Sequence, residues 1–206
     1  MKSLHRPDLY TWSIFDAERN VDFNSIAWVS PSGIVLIDPL PLSPHDWDHL
    51  QSLGQVSWIV ITNSDHIRDT FVLAERTGAK VAGPQAEKEQ FPTACDRWLQ
   101  DGDEVVSGLK VIELQGSKTP GELALVLNNT ILITGDLVRA HKADQLMLLP
   151  DAKLHNKAQA VTSLERLIAL ESIETVLVGD GWSVFRNGRQ YLLDLQAKVV
   201  AQPLTA

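Results

Sequence analysis

Cysteine is nearly absent from this sequence, in which Cys95 is the only one among 206 residues. Because a disulfide joins two cysteines, no intrachain disulfide can form, and this fits a reducing compartment. Apolar runs are short as well, and none approaches the ~20 residues of a membrane-spanning helix. The start of the chain, MKSLHRPDLY, contains no apolar signal core. We therefore expect a cytoplasmic protein with no membrane partner.

Positive charge is also scarce. Lysine and arginine total 18 against 26 aspartates and glutamates, which gives a formal net charge of −8. This balance argues against a broad phosphate-binding surface, so nucleic acid is not expected as a partner. Three catalytic patterns are missing too: a G-x-S-x-G nucleophile elbow, a C-x-x-C pair and a complete Walker loop. The stretch GSKT at residues 116–119 resembles the tail of a Walker loop but lacks the earlier glycine.

The rest of the composition is that of a globular protein, with 44% hydrophobic and 21% charged residues. At this length we expect one domain over residues 1–206 with a sizeable core. Apolar periodicity and turn residues predict an α+β fold: a hairpin-rich start, a β-α-β-α middle, a second series of strands, and a closing helix, strand and helix. The predicted strands are 10–15, 24–29, 33–37, 57–62, 80–82, 105–106, 109–114, 122–127, 130–134 and 175–178. The predicted helices are 44–53, 67–77, 84–90, 156–170 and one that starts near residue 187, whereas residues 139–155 are predicted to be irregular.

The sequence at residues 59–70, IVITNSDHIRDT, combines a buried-type strand with an unusually polar corner. The strand stops at the stretch TNSDH, residues 62–66, and a helical pattern starts at Ile67. Polar residues at the carboxyl end of such a strand are where α/β proteins often place chemistry. The same residues also suit an ordinary turn with a helix N-cap. Both interpretations are open on this stretch alone.

Polar residues also follow other predicted strands. They stand in GSKT at 116–119, in Gly135-Asp136 and in the stretch GDG at 179–181. If these ends and the TNSDH corner share one edge of the sheets, they bring together three carboxylates, one imidazole, one ammonium group and one amide. Carboxylate oxygens together with an imidazole nitrogen suit a divalent metal. A metal site is therefore one candidate for this set of residues.

Five stretches in this order resemble the metallo-β-lactamase superfamily, whose members are αββα sandwich hydrolases. They are GIVLIDP, ITNSDHIRDT, GSKTPGE, ITGDLV and VLVGDGW, and they span roughly residues 10–195. The family counterparts are a strand-end Asp, T-H-x-H-x-D-H, G-H-T-x-G, G-D and G-H-G. The resemblance implies a four-layer αββα fold and a metal-dependent hydrolase. It also implies a small-molecule substrate with an ester, thioester, lactone or related bond.

Several family histidines are replaced in this chain. Asn63 stands at the first histidine of the T-H-x-H-x-D-H motif, Lys118 at the histidine of the third motif and Asp180 at the last histidine. Two alignments of the first motif remain open. With a corner two residues shorter than the family pattern, Asp65 and His66 match the D-H pair. Without that gap, Asp65 falls on the second histidine instead.

The gapped alignment implies a reduced site with one metal. Its ligands would be Asp65, His66, Asp136 and Asp180, and the metal Zn, Fe or Mn. Asp136, Lys118 and Asn63 are the catalytic candidates. Asp136 or Asp180 would accept a proton and Lys118 would stabilise a developing oxyanion, while Asn63 marks the first metal position that has been lost.

Two alternatives to a metallohydrolase stay open. Three carboxylates and Lys118 sum to −2, and without a metal this charge needs relief from a raised pKa, from water or from a nearby arginine such as Arg68 or Arg139. A site closed by such Lys/Arg–Asp ion pairs would belong to a catalytically inactive binding or scaffolding module. A metal-free hydrolase that uses Asp and Lys for acid–base work is the other alternative. Asp38, just after its strand, is expected to serve as a turn or cap residue.

Overall fold

A computed structural model describes residues 1–201 of the chain. These residues form two compact units, Met1–Gln100 and a second unit that begins at Asp101. The single domain over residues 1–206 stays a prediction, and its last residues, 202–206, lie outside the described range. Among residues 1–201, no helix is both long enough and apolar enough to cross a membrane.

The first unit is built on one seven-stranded sheet in which neighbouring strands follow each other in the sequence. Its strands are β1 (Lys2–Ser3), β2 (Leu9–Asp16), β3 (Val21–Ser30), β4 (Gly33–Ile37), β5 (Val56–Val60), β6 (Lys80–Pro84) and β7 (Arg97–Leu99). The pairs from β1 to β4 are antiparallel and those from β4 to β7 are parallel. Helix α1 (Pro44–Leu53) connects β4 to β5, and α2 (Thr70–Thr77) connects β5 to β6. The parallel half therefore sends the ends of β4 and β5 to the same edge of the sheet.

Local sequence explains where the helices of this unit begin and end. Ser43 caps α1 by accepting a hydrogen bond from the backbone N–H of Asp46, and Pro44 occupies the first turn. Gly78 ends α2 in the left-handed conformation, with φ of 70°. Buried apolar side chains from the sheet and both helices form the core, which includes Trp12, Ile34, Leu36, Leu50, Val56, Ile59 and Leu73.

The second unit contains a four-stranded sheet, a separate hairpin and two helices. Its strands are β8 (Leu109–Leu114), β9 (Glu122–Leu127), β10 (Ile131–Thr134), β11 (Val138–Lys142), β12 (Gln145–Leu148) and β13 (Thr175–Val178). The sheet order is β13-β10-β9-β8, and β10 and β13 run parallel. Helices α3 (Lys157–Ile168) and α4 (Gly188–Ala201) pack on a core that includes Leu132, Leu164, Leu167, Val176, Leu192 and Leu195. The predicted tight turn at Asn128-Asn129 is present, with φ of 49° and 60°.

Four predicted elements were wrong in their details. Residues 105–106, predicted to be a strand, form a bend. The helix predicted from Ile67 begins at Thr70, because Arg68 takes a φ of 45°, which a right-handed helix excludes. The predicted helix over residues 84–90 contains only the 3₁₀ turn Gln85–Glu87. The region 139–155, predicted to be irregular, contains the hairpin β11–β12. The residues of β11 do not alternate between buried and exposed along the strand, so the period-two signal is missing from the sequence.

Candidate active site

In the first unit, the ends of two neighbouring parallel strands are tied together by Asp38. This residue follows β4 directly, is buried and has a φ of 47°. Its carboxylate accepts hydrogen bonds from Thr62, from the backbone N–H at 2.8 Å and from the hydroxyl at 2.6 Å. Its Oδ2 also lies 2.8 Å from Nδ1 of His66. Asp38 is at a turn, as expected, but its side chain also holds an imidazole of the predicted site.

The environment of Asp38 fixes its charge and the orientation of His66. Burial raises the pKa of the Asp38 carboxyl, but the positive charges of His66 and Arg68 and the hydrogen bonds from His66 and Thr62 outweigh it and hold the pKa below its usual value. When His66 is neutral, it donates its Nδ1 hydrogen to the ionised Asp38, and this tautomer leaves a lone pair on Nε2. A carboxylate behind an imidazole is also the arrangement that orients metal-ligating histidines.

The corner between β5 and α2 serves as a cap, one of the two interpretations of its sequence. Asn63 is fully buried, and its Oδ1 accepts the backbone N–H of Asp65 at 3.0 Å at the start of the 3₁₀ turn Ser64–His66. The amide nitrogen Nδ2 of Asn63 has no hydrogen-bond partner among residues 1–201. His66 is buried, whereas Asp65 is exposed. The two predicted neighbouring ligands therefore lie in different environments.

Two further charged side chains hold this corner, and sequence reasoning gave neither of them that role. Glu87 is buried and accepts the backbone N–H of Ser64 at 3.0 Å. Arg68, proposed from the sequence as a source of charge relief, donates from Nη1 to the backbone carbonyl of Asp38 at 2.9 Å and to that of Asn24 at 2.5 Å. It also helps to lower the pKa of Asp38.

In the second unit, the structure brings Asp136 and Asp180 together. Each follows the end of its strand by two residues, and those strands, β10 and β13, are parallel neighbours with Thr134 opposite Val178. Both carboxylates are buried, and both contact one atom, Nη2 of the buried Arg139. The distances are 2.9 Å to Asp136 Oδ1 and 2.5 Å to Asp180 Oδ2. The formal charge of this trio is −1, because two carboxylates face one guanidinium.

The GSKT loop is held by a buried glutamate that the sequence analysis missed. Glu122, fully buried, accepts the Ser117 hydroxyl at 2.5 Å through Oε2 and the backbone N–H of Leu137 at 2.9 Å through Oε1. It therefore connects the loop before β9 to the turn that contains Asp136. Lys118, by contrast, is exposed. The available signal for Glu122 was one acidic residue at the start of the apolar run ELALVL.

Comparison with known proteins identifies the family of this chain. A family model described as the metallo-beta-lactamase superfamily matches residues 1–199. The chain belongs to this superfamily. Hydroxyacylglutathione hydrolase from Brucella ovis (strain ATCC 25840 / 63/290 / NCTC 10512) is 28% identical over 134 residues, which cover 64% of this chain and 49% of that protein. The chain thus spans about half the length of the curated relatives it matches.

Two solved structures are similar to this chain over most of its length. The metallo-beta-lactamase FIM-1 from Pseudomonas aeruginosa, solved in a mono-zinc form, has a TM-score of 0.71 and 15% identity and covers 94% of this chain and 92% of its own. TTHA1623, solved in a di-iron-bound form, has a TM-score of 0.68 and 18% identity, with coverage of 89% and 98%. These similarities confirm the predicted α+β metallo-β-lactamase fold.

Proposed function

We propose that this chain is a metal-dependent hydrolase that cleaves an ester, thioester, lactone or related bond in a small molecule. The observation that carries the proposal is the buried pair Asp136 and Asp180, whose oxygens converge on a single cationic atom. Membership of the superfamily and the similarity to a hydroxyacylglutathione hydrolase support the hydrolase class and a thioester as a substrate to test.

The residues of the second unit fit a divalent cation in chemical type. Two buried carboxylates supply the oxygen donors that hard and borderline cations take, and the point between them already accommodates positive charge. We propose that Asp136 and Asp180 hold Zn, Fe or Mn. Asp65 and His66 are further ligands by motif order alone, and for both this role stays a prediction. A bound cation of this kind polarises a carbonyl or lowers the pKa of a water molecule.

Side chains of this protein would supply proton transfer and charge stabilisation. Asp136 or Asp180 accepts a proton from the attacking water. Lys118, exposed on its loop, stabilises the negative charge that develops on the substrate oxygen. Asn63 stays the third catalytic candidate, and its buried Nδ2 has no hydrogen-bond acceptor among the described residues. Asp38 keeps His66 in one tautomer.

Activity and metal content, measured together, test this proposal. Purified protein would be assayed on a panel of small esters, thioesters and lactones after chelation and again after addition of Zn²⁺, Fe²⁺ or Mn²⁺. We expect hydrolysis that needs the added cation and falls at least ~100-fold in Asp136→Asn, the range associated with loss of acid–base catalysis. Activity that survives chelation but is lost in Asp136→Asn would instead indicate the metal-free hydrolase. No stoichiometric metal on titration, together with no turnover on the panel, would reject the proposal.

A second candidate is favoured by one specific observation. Arg139 already bridges Asp136 and Asp180, which is the ion pairing expected of a catalytically inactive binding or scaffolding module. In that case no divalent cation would raise the melting temperature of the wild-type protein. A rise of several degrees with one of the three cations would exclude this candidate.

A further inference from the structure

The position of Arg139 is fixed by the backbone around it. The residue lies in β11, and the next residue, Ala140, donates its N–H to the carbonyl of Asp180 at 3.0 Å. Ala140 in turn accepts the N–H of Trp182 at 2.8 Å. Gly181, between these partners, has a φ of 94°, and a Cβ there would lie 2.0 Å from the carbonyl oxygen of Ala140. Only glycine allows this approach, and the approach places Arg139 beside Asp180.

The geometry of the ion pair suits a point charge better than a guanidinium. Arginine usually binds carboxylates through two parallel N–H groups, as a fork. Here the single atom Nη2 contacts both Asp136 Oδ1 and Asp180 Oδ2. The Nε of Arg139 is buried and has no hydrogen-bond partner among residues 1–201. The two carboxylates thus converge on one point, while part of the guanidinium remains unsatisfied.

We infer that Arg139 is an internal competitor for the divalent cation, because its Nη2 contacts the same two oxygens that would bind the metal. This inference rests on the proposed function. With the arginine in place the trio carries −1, and a divalent cation in its stead brings the two carboxylates to neutrality. A cation bound beside an unmoved Arg139 would bring the sum for Asp136, Asp180, Arg139 and the cation to +1. Metal binding is therefore coupled to withdrawal of the guanidinium, and the arginine lowers the affinity of the site.

Metal titration of an arginine variant tests the competition. Wild-type protein and Arg139→Met, both freed of metal, are titrated with Mn²⁺ and, separately, Zn²⁺ by calorimetry. We expect Arg139→Met to bind at least one of the two at least tenfold more tightly. The gain should vanish in Arg139→Met/Asp136→Asn, which lacks one of the two carboxylates. Arg166→Met is the matched control, because it removes an arginine of the same unit whose partner, Asp101, lies on the surface. It should bind like the wild type.

The outcomes separate the inference from the proposed function. Equal affinities in wild type and Arg139→Met would overturn the competition and leave a metal-dependent enzyme possible. Binding by Arg139→Met but not by the wild type would support the competition and remove the metal-dependent enzyme. No binding by either protein would overturn both. If Arg139→Met does not fold, Arg139→Gln, which keeps a polar side chain without the charge, undergoes the same titration with the same expected gain and the same criterion for rejection.

Discussion

The two units hold their buried carboxylates in opposite ways. In the first, Asp38 accepts hydrogen bonds from the hydroxyl and backbone N–H of Thr62 and contacts Nδ1 of His66. In the second, Asp136 and Asp180 share one nitrogen of Arg139 and keep a formal charge of −1. The first arrangement orients a side chain. The second directs two carboxylates at one point, and for that reason our proposal places the cation there.

The largest loss of stability should come from removing the guanidinium of Arg139, which pairs with Asp136 and Asp180. Arg139→Met leaves two buried carboxylates without their shared partner, and breaking such a pair costs about 3–5 kcal/mol of unfolding free energy. Urea denaturation in the presence of chelator would measure the loss. Arg166→Met, which breaks an exposed pair, should cost at most ~1 kcal/mol. Similar losses in both variants would show that the buried cluster is no more demanding than a surface ion pair.

Removing the charge of Asp38 in the first unit should lower stability by less, and the loss should depend on pH. Asp38→Asn weakens hydrogen bonds to a buried ionised group, which are worth about 1.5–3 kcal/mol. Because the folded pKa of Asp38 lies below its unfolded value, its stabilisation is fully present above the unfolded pKa of ~3.9 and disappears as pH falls through the folded pKa. The stability difference between wild type and Asp38→Asn should therefore shrink below about pH 4. A difference that stays constant down to pH 2 would contradict an ionised Asp38.

The connection between the GSKT loop and the Asp136 turn is tested by Glu122. Glu122→Ala leaves the Ser117 hydroxyl and the Leu137 N–H buried without this acceptor, at a cost of about 1–3 kcal/mol. Glu122→Gln keeps an acceptor oxygen and should recover most of that loss. Thermal and urea unfolding of both variants measure it. If the glutamine variant is as unstable as the alanine variant, the charge of Glu122 matters more than its position.

The smallest change in stability is expected for Lys118. The side chain is exposed, so Lys118→Ala should alter the unfolding free energy by no more than ~0.5 kcal/mol. Its expected contribution is to catalysis, and any hydrolysis found on the substrate panel should slow in this variant. Lys118→Arg is the matched control that keeps the charge. A large loss of stability in Lys118→Ala would favour the closed, non-catalytic module.

How much of the site was predictable depended on strand topology. Asp136 and Asp180 stand two residues beyond β10 and β13, and the sequence predicted their proximity only if these strand ends share one edge of a sheet. The parallel pairing of β10 with β13 meets that condition. Arg139 was named only as a candidate for charge relief, because its bridge depends on a hairpin that has no clear alternation in the sequence. The link between Asp38 and His66 joins residues 28 positions apart, and no local pattern contains it.

By itself, the sequence determined the fold family, the order of the main strands and the positions of the polar strand ends. Short-range periodicity and turn residues encode the strands and their ends, whereas the fold family followed from the resemblance of five stretches to the superfamily's motifs. The tertiary structure alone decided which polar groups are partners. Asn63 became a cap, Asp65 turned to solvent, Glu122 joined two loops and Arg139 took the point between two carboxylates. Such pairings depend on which side chains are buried together, because a buried charge needs a partner that a solvated one does not.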